Sequence, residues 1–255
     1  MIQFILQIFH VLFFQPILNL LVFLYSTISF QDLGIAIILL TIIIKAVLFP
    51  LSKKSIKIQK SMQEIQPEIE EIKKKYKDNK EEQGKALMQL YKDKKVNPFS
   101  SCLPLLIQLP FLIAVFRVFR SGVDENLDLV YPFLSDFQPE SIDYLAFGFF
   151  NLETPSIVMA ALAAGAQFWQ AKMMLKRKKK TKVVTNSDDK ENKSEGMAEM
   201  MSKQMLYFMP VITIIIGSQL PGGLTLYWLV VTLLTGLQQL YIFKQTNQSE
   251  EIKKA

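Results

Sequence analysis

Lys45 is the residue of this sequence whose chemistry most needs a reason. It lies inside an apolar run, with Gly34 to Ile44 before it and Ala46 to Leu51 after it. That run is long enough to cross a bilayer, where an ionisable group is expensive. Its ammonium either snorkels to the headgroups or faces a wet cavity. No acid falls in the apolar runs 33–51, 99–120, 155–175 and 204–243, so neither an intramembrane ion pair nor the carboxylate relay usual in proton-driven transport is on offer. The other polar groups at depth are neutral: Gln108, Gln167, Gln170, Thr213, Gln219, Thr225, Thr232, Thr235, Gln238 and Gln239. Singly, each suits an interhelical hydrogen bond. As a set they point to a hydrated cleft shared by several helices, with Gln167 and Gln170 three apart on one face. A single histidine, His10, and a single cysteine, Cys102, exclude a His-rich metal site, a disulfide framework and a thiolate metal cluster.

The elements that must position these groups follow from where the charges are. The 255 residues are half apolar and include 19 Phe, yet they carry 29 basic and 23 acidic side chains. Residues 99–116, 154–171 and 204–243 have no charge at all, which reads as membrane spans and excludes an ordinary soluble domain. Pro221-Gly222-Gly223 breaks the last stretch in two. The expected fold class is an all-α polytopic membrane protein with a core of five transmembrane helices. Its spans are 31–52, 98–121, 155–175, 204–220 and 221–244.

Loop charge orients them. Segment 53–97 holds thirteen lysines against eight acids, and 176–203 nine basic residues against five acids. Segment 122–154 has seven acids and no base. The basic loops belong in the cytoplasm, the acidic loop outside, and the tail 245–255 inside. Residues 1–30 place Gln3, Gln7 and His10 on one helical face and are interrupted at Pro16. An outer interfacial helix fits that pattern, with a sixth span as the rival. The segment lacks the basic start and small-residue cleavage site of a secretory signal.

Within the first basic loop, Ile58, Met62, Ile65, Ile69, Ile72 and Tyr76 are spaced 4, 3, 4, 3, 4, a coiled-coil seam. Pro67 should kink this arm or start a helix. Asp78-Asn79-Lys80 supplies a turn, and Ala86, Leu87, Leu90 and Tyr91 a returning apolar face. The expectation is a helical hairpin protruding into the cytoplasm. Residues 181–196 are polar and predicted to form a mobile loop. Tyr227 and Trp228 suit interface anchors, and Trp228 also suits the mouth of a cleft. Phe133, Phe137, Tyr144, Phe147, Phe149 and Phe150 supply apolar mass for a lid that would close the cleft from outside.

Three groups of residues carry a family resemblance. The first is Lys94-Lys95-Val96-Asn97-Pro98 followed by Cys102-Leu103-Pro104-Leu105-Leu106-Ile107-Gln108-Leu109-Pro110. The second runs Phe208-Met209-Pro210, Pro221-Gly222-Gly223-Leu224-Thr225-Leu226-Tyr227-Trp228 and Gln238-Gln239. The third is Lys45-Ala46-Val47-Leu48-Phe49-Pro50-Leu51-Ser52, leading into the lysine-rich segment. Over roughly residues 12–245 the chain resembles the YidC/Oxa1/Alb3 family of membrane protein insertases, in a short form without the large periplasmic domain. The resemblance implies an insertase and chaperone in the bacterial cell membrane, with no cofactor, no metal and no enzymatic step. It implies a groove in the inner leaflet, open to cytoplasm and lipid and closed outside. Lys45, Gln108, Gln170 and Trp228 match groove positions, and Gln167 is assigned there with them. The family usually has arginine where this chain has Lys45, so the charge is kept and the planar fork is lost.

The implied partners are nascent membrane proteins, with the ribosome, signal recognition components, the Sec translocon and anionic lipid as further candidates, and no specific nucleic acid sequence. An incoming apolar segment would slide along the outer faces of spans 98–121 and 221–244 while its polar flank meets Lys45. Two other classes compete: a channel or small-solute transporter, which needs a path to both sides, and a non-catalytic assembly subunit, which needs no groove.

Overall fold

The structure is a computed structural model that describes residues 2–97, 103–137, 141–180 and 195–254. Cys102 and residues 181–194, most of the expected mobile loop, lie outside the described residues. The chain is mostly helical, and it divides into two compact units.

The first unit comprises Met1–Phe49, Leu105–Gln167 and Pro210–Thr235. It begins with α1 (Ile2–Phe9), a π turn at His10–Phe14 and α2 (Gln15–Thr27), where Pro16 falls in the first turn directly after the π turn. Asp32 caps α3 (Leu33–Val47) by accepting from the Ile35 amide at 2.9 Å. α3 stops at Val47, ahead of Pro50, whose missing N–H and ring cannot continue a helix inherited from Ala46. Pro50 falls instead in the first turn of the next helix. α7 (Leu103–Ser121) carries Pro110 inside it and ends at Gly122, whose φ of +79° makes the left-handed turn that glycine adopts freely. α8 (Ile157–Lys180) and α9 (Glu195–Gly217) approach closely, since a Cβ at Gly217 would sit 3.1 Å from that of Ala160. Gly222 and Gly223 open α10 (Gly222–Lys254) because neither position has room for a side chain. A Cβ at 222 would lie 2.9 Å from the Asn151 carbonyl, and one at 223 would enter the Phe119 ring.

One apolar core joins α2, α3, α7, α8 and α10, with Leu18, Val22, Leu33, Ile37, Val115, Val118, Leu152 and Tyr227 among its fully enclosed members. Segment 122–154 is tied onto it by side chains that hold its backbone. Asn19 accepts from the Tyr131 amide at 2.6 Å and donates to the Leu129 carbonyl at 3.2 Å. Tyr25 accepts from the Asp143 amide at 2.9 Å, and Asp32 from that of Phe147 at 2.6 Å. Two short strands, β1 (Leu145–Ala146) and β2 (Phe150–Asn151), pair antiparallel.

The aromatic lid expected of this segment is corrected by its exposures. Phe133 is 75 % exposed and Phe149 69 %, and Phe147 also faces outward. The buried contribution comes from Val123, Leu127, Ile142, Ala146 and Leu152, with Tyr144 and Phe150 half-buried against the core. The turn around Phe147 and Gly148, both at positive φ, rotates the neighbouring rings away. The Phe137 side chain lies outside the described residues.

The second unit comprises Pro50–Pro104, Phe168–Met209 and Gly236–Ala255. Here α4 (Phe49–Glu64) is followed by α5 (Gln66–Lys75) and α6 (Lys80–Asp93). Pro67 marks the start of α5, and Asn79 caps α6 by accepting from Glu82 at 3.1 Å. Ile65, Ile69 and Leu90 are buried together, with Met62, Ile72, Leu87, Tyr91 and Val96 packed around them. Lys94 reaches across to Glu68 at 2.6 Å. Ile58 and Tyr76 are half-buried and stand outside that cluster. A separate cluster joins Ile56, Ile242, Phe243 and Met174.

By length and composition, two described helices can cross a membrane, Leu6–Thr27 and Gly222–Gln245. The interrupted pair α3 and α4 makes a third if taken as one span, and the apolar part of α9, Leu206–Gly217, is shorter.

Candidate functional site

Lys45 is 7 % exposed and sits in the last turn of α3. Its position follows from the helix period: Ile37, Leu40, Thr41 and Ile44 share the buried side of α3 with it. The ammonium donates to the Thr235 hydroxyl on α10 at 2.7 Å, and that hydroxyl donates in turn to the Val231 carbonyl at 2.6 Å. No carboxylate pairs with Lys45 among the described residues. Its charge is held by a neutral acceptor, the Thr235 hydroxyl.

The same unit holds two further polar pairs. Gln108 on α7 donates to the hydroxyl of Tyr227 on α10, and the Thr213 hydroxyl on α9 donates to Gln167 on α8. Tyr227 is 1 % exposed, so it is a buried partner of Gln108 and not an interface anchor. A phenol hydroxyl at such a site needs a hydrogen bond, and Gln108 supplies it. Trp228, the next residue, is half-buried.

Gln170 belongs to the second unit. It donates to Gln239 at 3.2 Å, and Gln239 donates to Gln59 of α4 at 3.3 Å. Nearby on the same helices, the Trp169 ring fills the space beside Gly236, where a Cβ would collide with it. The five candidate residues thus fall in two places: Lys45, Gln108, Gln167 and Trp228 in the first unit, and Gln170 in the second.

Sequence reasoning named Thr213, Thr235 and Gln239 as polar groups at depth but had no means of pairing them. It passed over Gln59 entirely, because that residue stands among lysines where a glutamine carries no signal. The arrangement offers one buried cation and neutral donors and acceptors, which suits recognition of a polar or acidic group within an apolar surround. Among the described residues no group of His, Cys, Asp and Glu is placed to hold a metal ion.

The sequence profile of a family described as "60Kd inner membrane protein" matches residues 23–250. A protein of Fusobacterium nucleatum named membrane protein insertase YidC is 36 % identical over 215 residues, 84 % of this chain and 87 % of its own length. Proteins of the same name from Pelobacter propionicus and Rickettsia massiliae are 34 % and 32 % identical over 236 and 237 residues, about 90 % of this chain. This chain spans 39 % and 38 % of their lengths.

Proposed function

The chain belongs to the 60 kDa inner membrane protein family, the YidC-type membrane protein insertases, and from that premise we infer that it moves polar flanks of nascent membrane proteins into the bilayer past Lys45. It is a bacterial membrane protein, with bacterial relatives and helices apolar enough to cross a membrane. The observation that carries the reading is the buried ammonium that, among the described residues, is held by a hydroxyl and by no carboxylate. An acidic terminus that enters the groove lined by Lys45, Gln108, Gln167 and Trp228 exchanges a Thr235 contact for a charge-assisted one. The groove divides the barrier of carrying a polar tail across roughly 30 Å of hydrocarbon, while transfer of the apolar segment into lipid beside α7 and α10 drives the process. No bond is made or broken.

The proposed topology has five spans, with segments 53–97 and 176–203 and the C-terminus cytoplasmic. Residues 1–30 lie on the outer surface. Gln15 and Asn19, midway along the apolar stretch Leu6–Thr27, hold the irregular backbone of Leu129 and Tyr131 beside exposed Glu125 and Asp128. Non-helical backbone with exposed carboxylates is disfavoured at membrane depth. The α5–α6 hairpin and the basic run 176–182 suit the ribosome, signal recognition components, the Sec translocon or anionic lipid.

The test is insertion by the purified protein reconstituted in vesicles. K45R retains activity, K45A impairs insertion of substrates with acidic translocated tails, and K45E impairs it most. Normal insertion of such substrates by K45A refutes the proposal. Steady ion currents through the protein without substrate would favour the channel reading.

A further inference from the structure

Two arginines stand at the C-terminal end of α7 with no part in the groove. Arg117 and Arg120 are three apart on one face, both exposed. Together with His10, Phe14, Ser121 and Asn126 they line an open cleft of about 420 Å³. Each guanidinium lies over a phenyl ring, Arg117 at 5.2 Å from Phe9 and Arg120 at 5.6 Å from Phe116. These contacts orient the planar cations without using their N–H groups. Glu125 and Asp128 follow closely in sequence, yet among the described residues no ion pair joins an acid to either arginine. Two oriented forks, unpaired with any acid among the described residues, and an imidazole beside one cleft match a phosphate oxyanion.

What lies below the cleft says where that phosphate comes from. Leu106 is 58 % exposed, Leu109 43 % and Ile113 39 %, and with Arg117 and Arg120 they form one stripe along α7. The stripe is roughly 140° round the helix from Gln108, at 100° per residue, so it is not the groove face. From Leu106 to Arg117 it rises about 16 Å, close to the half-thickness of a bilayer's hydrocarbon core. An apolar strip one leaflet long that ends in two cations has the dimensions of a single phospholipid.

We propose that the cleft between the π turn His10–Phe14 and the C-terminal end of α7 binds the phosphate of an anionic phospholipid, whose acyl chains lie along Leu106, Leu109 and Ile113. The site ties the π turn to α7 through a lipid, and it rests on α7 crossing the bilayer as proposed above.

The whole protein is placed in nanodiscs of phosphatidylcholine and phosphatidylglycerol, with a photoactivatable headgroup on one lipid at a time. The phosphatidylglycerol probe labels the His10–Phe14 turn and the end of α7, and R117Q/R120Q lowers that labelling by about tenfold, as expected when two charge-assisted contacts are lost. R117K/R120K keeps an intermediate level, and K73Q/K74Q in the hairpin leaves it unchanged. Equal labelling by the phosphatidylcholine probe, or no loss in R117Q/R120Q, overturns the proposal. Abolition by millimolar inorganic phosphate assigns the cleft to a free anion and overturns the lipid assignment. Failure of the span reading is distinguishable: with Cys102 changed to Ser, I113C would then react with an aqueous thiol reagent, whereas failure of the lipid site alone leaves it protected.

Discussion

The Lys45–Thr235 contact makes a sharp prediction because its two halves should behave oppositely. Thr235→Val keeps the side-chain shape and removes the hydroxyl that accepts from the ammonium at 2.7 Å. A hydrogen bond to a charged group contributes roughly 1.5–3 kcal/mol, and Lys45 at 7 % exposure gains little from bulk water in compensation. The Thr235 bond to the Val231 carbonyl is a back-bond within one helix turn, and its loss costs little. T235V should therefore lower stability by about 2 kcal/mol. Lys45→Met removes the cation and its desolvation together, and should stay within about 1 kcal/mol of the parent while losing activity on acidic substrates. In the K45M background, T235V should cost no more than about 0.5 kcal/mol, giving a coupling near 1.5 kcal/mol. Unfolding in detergent micelles, followed by the fluorescence of Trp169 and Trp228, measures all four proteins. A coupling below about 0.5 kcal/mol refutes the reasoning, because the hydroxyl would then contribute nothing specific to the charge.

Other perturbations probe the parts that position the site. Ile65→Asp with Ile69→Asp places two carboxylates in the cluster around Leu90, and amide hydrogen exchange in α5 and α6 should speed up while the first unit keeps its protection. Asn19→Ala strands the Tyr131 amide and weakens the hold on segment 122–154 by about 1–3 kcal/mol. Faster exchange at residues 129–131 is the readout, and unchanged exchange would show the segment is held elsewhere. For topology, with Cys102 changed to Ser, a cysteine at Glu125 should react with an impermeant reagent added to intact cells and one at Lys80 should not. The reverse pattern inverts the orientation.

Much of this protein is legible in one dimension. The order and spacing of Lys45 to Ser52, Lys94 to Pro110 and Pro221 to Trp228 identified the family, because such motifs need no partner to be read. Apolar runs without charge showed that the chain is built of membrane-seeking helices, since transfer free energy is a property of the segment itself. Pro50, Pro67 and Asn79 act on the backbone of their own neighbours, and helices break or start at each.

Tertiary structure decided everything that depends on how each helix is rotated about its axis. Lys45 and Thr235 are 190 residues apart, Gln108 and Tyr227 119, and Gln59 and Gln239 180. Periodicity says which side chains share a face, but not which face meets which. That is settled by packing at points such as Gly223 against Phe119 and Gly217 against Ala160, where steric fit over long range sets helix position. Composition therefore read Tyr227 as an anchor and the loop phenylalanines as a lid, although the one is buried and several of the others face outward. Burial of an aromatic ring depends on the local turn and on neighbours brought from elsewhere in the chain, and neither is written in the residue or its immediate sequence.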